Sequence, residues 1–328
     1  MFQAGKKSLI PNKTIIPFKR GMHMQSSTFN AMVMLQLQVL LLMGVGFVLT
    51  KLGTITNEGR RSLSDILINF ILPCNIICSF QMDLTADLIA SCGLVLLLAL
   101  AAQALFYAVG HFCYPGQQAE RLSCLRYATL CPNAGFLGLP IIGGVFGEMG
   151  SLLTSIALLP QRVVMWSAGV SLFTKADNKS VIKKVLTHPC IIAVAIGFAL
   201  LFAGNPTLPP FLQKTISSAG GCTTCVSMLV IGGILAGAKP EGFKDKTILW
   251  FTFLRLIAIP LIAFLPLKLL GVDPVVTGVV VLISGMPAGS TTAILASKYD
   301  GDAAFASCMV FVSTLASIVT LPVLCLFL

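Results

Sequence analysis

Long apolar runs, separated by short polar or basic segments, make up most of this chain. A helix needs about 20 apolar residues to cross the hydrocarbon core of a bilayer, and about ten runs reach or approach that length. We therefore predict an all-α integral membrane protein. The expected membrane spans are residues 29–50, 63–80, 88–112, 122–146, 150–173, 189–203, 216–238, 247–270, 275–295 and 303–327.

Proline and glycine interrupt two of these runs, at residues 131–140 and 284–292. A helix broken inside a membrane frees backbone N–H and C=O groups, which cost several kcal/mol each unless polar groups meet them. Each break also creates a half-helix N-terminus with about +0.5 of a charge, which attracts anions. Paired interruptions are typical of the substrate site of a secondary transporter. The structural alternative is a pair of proline kinks with helix-packing glycines.

The residues around the two breaks indicate what such a site would bind. Amide and hydroxyl groups offer hydrogen bonds, and glycine lets a ligand approach the backbone closely. A neutral, donor-rich cavity of this kind suits a carboxylate. The predicted substrate-binding residues at the breaks are Asn133, Gly135, Gly289, Ser290 and Thr291, with Asn75 in the second span. The predicted hinge residues are Pro132, Pro140 and Pro287.

Two arginines, Arg162 and Arg255, lie well inside predicted spans. An arginine near the bilayer centre costs at least about 2.5 kcal/mol on insertion scales, so it should face a partner or a cavity. Arg162 could bind an anionic substrate, or it could pair with Asp65 or with carbonyl groups freed at a break. Arg255 is expected to snorkel toward the cytoplasm or to pack structurally.

Composition supports a membrane location. Hydrophobic residues make up 56% of the 328 residues and charged residues only 10%, with a mean hydropathy of +0.92. A soluble domain carries roughly 25% charged residues. This chain therefore lacks the polar material to cover a water-exposed surface.

The formal net charge of +10 is a topology signal, and we expect no nucleic-acid partner. Lys and Arg concentrate in the loops after the odd-numbered spans, whereas the loops after the even-numbered spans hold only two basic residues, Lys214 and Lys268. Basic loops face the cytoplasm, so both termini should lie on the outer side of the cytoplasmic membrane.

Five spans on each side of a basic linker predict two halves of opposite orientation. Residues 29–173 would form the first five-helix repeat, residues 174–188 the cytoplasmic linker, and residues 189–328 the inverted second repeat. Residues 1–28 are expected to form a disordered tail, and translation could begin at Met1, Met22 or Met24.

Cysteine and histidine do not point to chemistry. The 11 cysteines are scattered through apolar segments, and Cys222 and Cys225 form a lone pair without a second one. No zinc motif occurs, and the histidines lie at span ends, at His23, His111 and His188. We predict no metal site, no cofactor and no enzymatic activity.

Three stretches of the chain resemble the auxin efflux carrier family in its short bacterial form. They are residues 53–73, the Asn-Ala-Gly-Phe-Leu-Gly-Leu-Pro motif at 133–140, and residues 296–322. The resemblance implies ten helices in an inverted five-plus-five repeat with two broken, crossing helices, akin to the NhaA and bile-acid symporter folds. It also implies organic-anion substrates and a homodimer.

The resemblance places Gln161 and Arg162 on the fifth helix, which borders the substrate site in similar carriers. Arg162 departs from the plant members and favours a more strongly charged anion such as a dicarboxylate; similar bacterial proteins include malate and malonate permeases. We therefore predict a secondary transporter, surrounded by lipid, that moves a small organic anion by alternating access. Coupling to H⁺ or Na⁺, transport of a non-carboxylate solute and a non-transporting role stay open as alternatives.

Overall fold

The computed structural model describes residues 23–81, 85–169, 171–173, 187–204, 208–237, 244–299 and 301–328. Within these ranges the chain is helical apart from turns, short connections and one isolated β-bridge. Most of the predicted tail and linker, residues 1–22 and 174–186, lies outside the described residues.

The helices are numbered here in chain order. They are α1 His23–Lys51, α2 Asn57–Ser79, α3 Ala86–Phe112, α4 Ala119–Leu130, α5 Ala134–Val164, α6 Pro189–Phe202, α7 Pro210–Gly237, α8 Lys246–Leu269, α9 Pro274–Ser284, α10 Thr291–Lys298 and α11 Ala303–Phe327. Among the described residues, six helices are long and apolar enough to cross a membrane: α2, α3, α5, α7, α8 and α11. The predicted integral membrane class is therefore supported, while the ten-span inverted repeat stays a prediction.

Proline shapes three of the helices. A π-helical turn precedes a proline by two residues at Leu67–Ile71, at Ala134–Gly138 and at Leu254–Ala258, before Pro73, Pro140 and Pro260. Proline lacks an N–H and its ring collides with the carbonyl four residues back, which falls inside each π turn. Pro140, a predicted hinge residue, thus widens the first turn of α5, within the first break.

A glycine divides α5 into two parts. Gly147 has φ +66° and ψ −151°, a conformation that side-chain-bearing residues avoid. The chain therefore changes direction at this point, between the predicted fourth and fifth spans. The boundary that the sequence predicts between residues 146 and 150 agrees with this turn.

An ionic cluster holds three helix starts together at one end of the bundle. The carboxylates of Asp245 and Asp302 accept backbone N–H groups in the first turns of α8 and α11. Arg121, in the first turn of α4, donates to both, at 3.2 Å and 3.1 Å. The basic loops predict that this end faces the cytoplasm.

The helices pack as two groups. In the first, named here the scaffold group, α1 packs along α7, and α2 packs against α6 and α7. In the second, the crossing group, α3 packs against α4, α5 and α9, while α8 packs against α9 and α11. The two chain breaks lie within the crossing group. Large apolar side chains such as Leu41, Leu97 and Phe112 remain exposed on the outside, as a lipid-facing surface requires.

Candidate functional site

The two broken segments cross each other. The backbone N–H of Asn133 donates to the carbonyl oxygen of Pro287 at 2.8 Å, and Pro132 and Ala288 form an antiparallel β-bridge. A Cβ atom on Gly289 would lie 2.6 Å from the carbonyl oxygen of Cys131. Only glycine permits this approach, because that spacing is far below van der Waals contact.

Arg255 binds the carbonyl ends of both broken helices. Its guanidinium donates to the carbonyl oxygens of Met286 at 3.0 Å, Thr129 at 3.1 Å and Ile283 at 3.3 Å. It also lies over the ring of Phe106, 4.2 Å from the centroid. The side chain is fully buried. The prediction that Arg255 snorkels is therefore wrong, and the alternative that it packs structurally is correct.

Two glutamines and a serine satisfy further backbone groups at the crossing. Gln103 donates to the carbonyl of Leu130 at 2.9 Å, and Gln161 donates to that of Pro132 at 2.8 Å. The hydroxyl of Ser313 accepts from the N–H of Ala288 at 3.2 Å. Unmet carbonyl and N–H groups are costly in a membrane interior, so these side chains stabilise the broken backbone.

A cavity of about 120 Å³ lies beside the crossing. A water molecule needs roughly 10–15 Å³ of such space, so the cavity has room for a small organic molecule. It lies between the two helix groups, because α2 and α6 of the scaffold group face α5 and both breaks across it. Its lining is Ile68, Leu72, Cys131, Pro132, Asn133, Gly135, Phe136, Leu158, Gln161, Arg162, Met165, His188, Cys190, Gly289, Ser290 and Thr291.

Seven of the eight predicted substrate-binding residues line this cavity. They are Asn133, Gly135, Gln161, Arg162, Gly289, Ser290 and Thr291. Asn75 does not line it; its side-chain amide donates to the carbonyl of Gly220 at 3.4 Å, on the neighbouring α7. Of the predicted hinge residues, Pro132 lines the cavity, whereas Pro140 and Pro287 do not.

Uncompensated hydrogen-bond donors face the cavity. Arg162 is 6% exposed and Asn133 is 5% exposed, and the Nη1 atom of Arg162 and the Nδ2 atom of Asn133 have no hydrogen-bond partner among the described residues. Within the described part of the chain, no Asp or Glu lines the cavity. Asp65, the alternative partner considered for Arg162, is exposed. A buried cation without a counter-ion is costly, so an anion in the cavity would stabilise it.

His188 is a further residue of the cavity lining, which sequence pattern does not reveal. This residue precedes α6, and its Nδ1 atom accepts the N–H of Cys190 at 3.3 Å. Burial, with the charge of Arg162 adding to it, lowers the pKa of His188 to about 4. A histidine at the start of a short span with no local motif gives no signal in sequence; only the packing of α6 against the crossing group brings it to the cavity.

The structure is a bundle of apolar helices with two crossed chain breaks beside a buried, uncompensated arginine. These features are typical of multi-pass membrane transport proteins. Comparison with known families agrees with that class. The model of the family described as Membrane transport protein matches residues 31–183 and 174–325, so the chain belongs to this family. It is the auxin efflux carrier family that the sequence resembles, and that prediction is confirmed.

Relatives over nearly the full chain are also transporters by name. An uncharacterized transporter of Methanocaldococcus jannaschii is 24% identical over 86% of this chain and 94% of its own length. One of Methanothermobacter thermautotrophicus is 25% identical, over 87% and 95% of the two chains. The uncharacterized transporter YfdV of Escherichia coli K12 is 22% identical, over 87% and 94%.

Proposed function

We propose that this protein is a secondary transporter that carries a small organic anion, a carboxylate or dicarboxylate, across the cytoplasmic membrane by alternating access. The observation that carries the proposal is the cavity at the crossing, where the buried guanidinium of Arg162 has no carboxylate beside it in the described structure. The homodimer that the resemblance implies stays a prediction.

The polarity of the crossing supports an anionic substrate. The N-terminal ends of two half-helices, at Asn133 and at Ser290, face the cavity, and their partial positive charges add to that of Arg162. The carbonyl ends of the opposite half-helices face Arg255. Positive ends therefore meet the cavity and negative ends meet a resident cation, which leaves the cavity suited to a negatively charged ligand.

The packing of the helices supports alternating access. The cavity lies at the boundary between the scaffold group and the crossing group. A rigid-body movement of one group along the other would carry the bound anion toward the other side of the membrane. The packing also repeats between the halves, because α1 packs on α7 much as α6 packs on α2. This pairing favours the inverted five-plus-five arrangement of ten spans.

Thermal unfolding of the detergent-purified protein with acetate, malonate and succinate tests the proposal. A bound anion at about 100 times its dissociation constant adds ~2.7 kcal/mol to the folded state. We expect at least one of these acids to raise the Tm of the wild type and not that of Arg162→Gln. Arg126→Gln is the matched control, since Arg126 lies outside the cavity lining and donates to the carbonyl of Gly110 in the described structure.

Two results would contradict the proposal. One is equal stabilisation of Arg162→Gln and the wild type by the same acid. The other is a flat response of the wild type to all three acids.

A further inference from the structure

His188 and Arg162 approach the cavity from opposite helix groups. His188 stands at the start of α6 in the scaffold group, and Arg162 lies on α5 in the crossing group. An anion held by Arg162 and Asn133 would lie in the same cavity as the imidazole of His188. The occupied site would then contain a substrate carboxylate near a titratable group.

The empty cavity keeps His188 neutral. The titratable groups that face it there are Arg162 on α5, Cys131 at the first break and Cys190 on α6; the lining residues from α2 and from the second break carry none in the described structure. Arg162 repels a second positive charge, and burial disfavours one further. Without an anion, the imidazole is therefore unprotonated at near-neutral pH.

A bound anion reverses this balance. Its negative charge offsets that of Arg162 and attracts a proton to the imidazole. By linkage, an anion that favours protonated His188 binds more tightly when that proton is available. With a dicarboxylate, the two negative charges would match the charges of Arg162 and protonated His188. The loaded site would then be electrically neutral, which lowers the electrostatic cost of crossing the membrane.

We propose that His188 is a proton-binding site of the carrier, so that one proton enters the cavity with each anion; this rests on the proposed function. The proton comes from water on the loading side and adds to Nδ1, the nitrogen that accepts the N–H of Cys190 in the neutral ring. That hydrogen bond breaks when the proton arrives and forms again when anion and proton leave. No other reactant is needed.

Calorimetry in two buffers of different ionisation enthalpy measures the coupling. The probe is whichever of acetate, malonate and succinate binds the wild type most tightly, at pH 6. We expect the wild type to take up about one more proton per anion than His188→Asn does, since asparagine can cap α6 but cannot titrate. Comparison at one pH cancels the protons released or bound by the acid itself. Above pH 6, anion affinity should fall by up to about tenfold per pH unit in the wild type relative to His188→Asn.

The exposed residue His111 provides the matched control, and His111→Asn should behave as the wild type does. Equal proton uptake by the wild type and His188→Asn would overturn the proton site and leave the proposed transport of anions intact. If His188→Asn does not fold, His188→Gln replaces it in the same comparison, and equal proton uptake by this variant and the wild type overturns the proton site alone. Failure of all three acids to bind would instead overturn the proposed function, and the proton site with it.

Discussion

The backbone N–H of Asn133 donates to the carbonyl oxygen of Pro287 at 2.8 Å, which joins the two interrupted helices through their main chains. The contact has a consequence for charge. It holds the half-helix N-termini on the side of the cavity and the half-helix carbonyl ends on the side of Arg255. Arg255 therefore offsets the partial negative charge of the carbonyl ends, while Arg162 remains available to a ligand.

The crossing depends on the absence of a side chain at residue 289. In Gly289→Ala the new Cβ would meet the carbonyl oxygen of Cys131 at 2.6 Å, so the two segments must separate. Overpacking of this kind costs roughly 1–3 kcal/mol. We expect a lower Tm and loss of carboxylate binding.

The matched control for this substitution is Gly93→Ala in α3, where a Cβ would meet nothing within 4 Å among the described residues. Alanine in an open helical position should leave the Tm unchanged or raise it, by roughly 0.5–1 kcal/mol in stability. Unchanged Tm and binding in Gly289→Ala would show that the segments do not cross as closely as the structure places them.

Much of the candidate site could be predicted from residue types alone. Proline and glycine in the middle of apolar runs mark residues 131–140 and 284–292 as breaks, because few other residues interrupt a helix in lipid. Arg162 also stands out, because a charged side chain in the middle of an apolar run is costly unless it has a partner or faces a cavity. These local signals survive folding, and the structure brings the residues that carry them to one cavity.

Other parts of the site depend on long-range packing. Arg255 gives the same sequence signal as Arg162, but its role is set by carbonyl groups of Thr129 and Ile283, far away in the chain. The sequence predicts that Asn75 binds substrate, but its side chain binds the neighbouring helix instead, as a polar residue in an apolar run equally can. Sequence pattern identifies polar groups that need partners but not which partners they find.

The two intramembrane arginines should respond in opposite ways to the same substitution. Arg255→Met removes the donor of the carbonyls of Met286 and Thr129. The carbonyl of Ile283 loses one of two donors, because it also accepts the N–H of Met286 at 3.2 Å. Each unsatisfied buried group costs about 1–3 kcal/mol, so we expect a large fall in Tm. Arg162→Met removes a buried, incompletely bonded cation and should raise the stability of the empty protein by about 1 kcal/mol or more.

Thermal unfolding without added ligand measures both effects, and anion binding gives the second readout. Arg162→Met should be stable but unable to bind a carboxylate, a trade of function for stability. A fall in Tm for Arg162→Met as large as that for Arg255→Met would assign Arg162 a structural role instead.

The orientation in the membrane is testable by cysteine labelling in cells. The charge distribution predicts that Arg61 faces the cytoplasm and that Lys268 faces the outside, and both side chains are exposed. In a background with Cys222→Ser and Cys225→Ser, a membrane-impermeant maleimide should label Lys268→Cys in intact cells. Arg61→Cys should react only after the cells are opened. The reverse pattern would place the basic loops outside and invert the predicted topology.

The stability of the empty protein should depend on pH through His188. Its pKa is lowered from 6.5 to about 4 in the folded state, so between these values the unfolded chain binds a proton that the folded protein does not. Stability should therefore fall as the pH is lowered from about 6.5 toward 4, and His188→Asn should remove that part of the loss. The Tm of both proteins at pH 7 and pH 5, without carboxylate, measures the difference. His111→Asn should keep the wild-type dependence, and a wild-type-like fall in His188→Asn would show that another group is responsible.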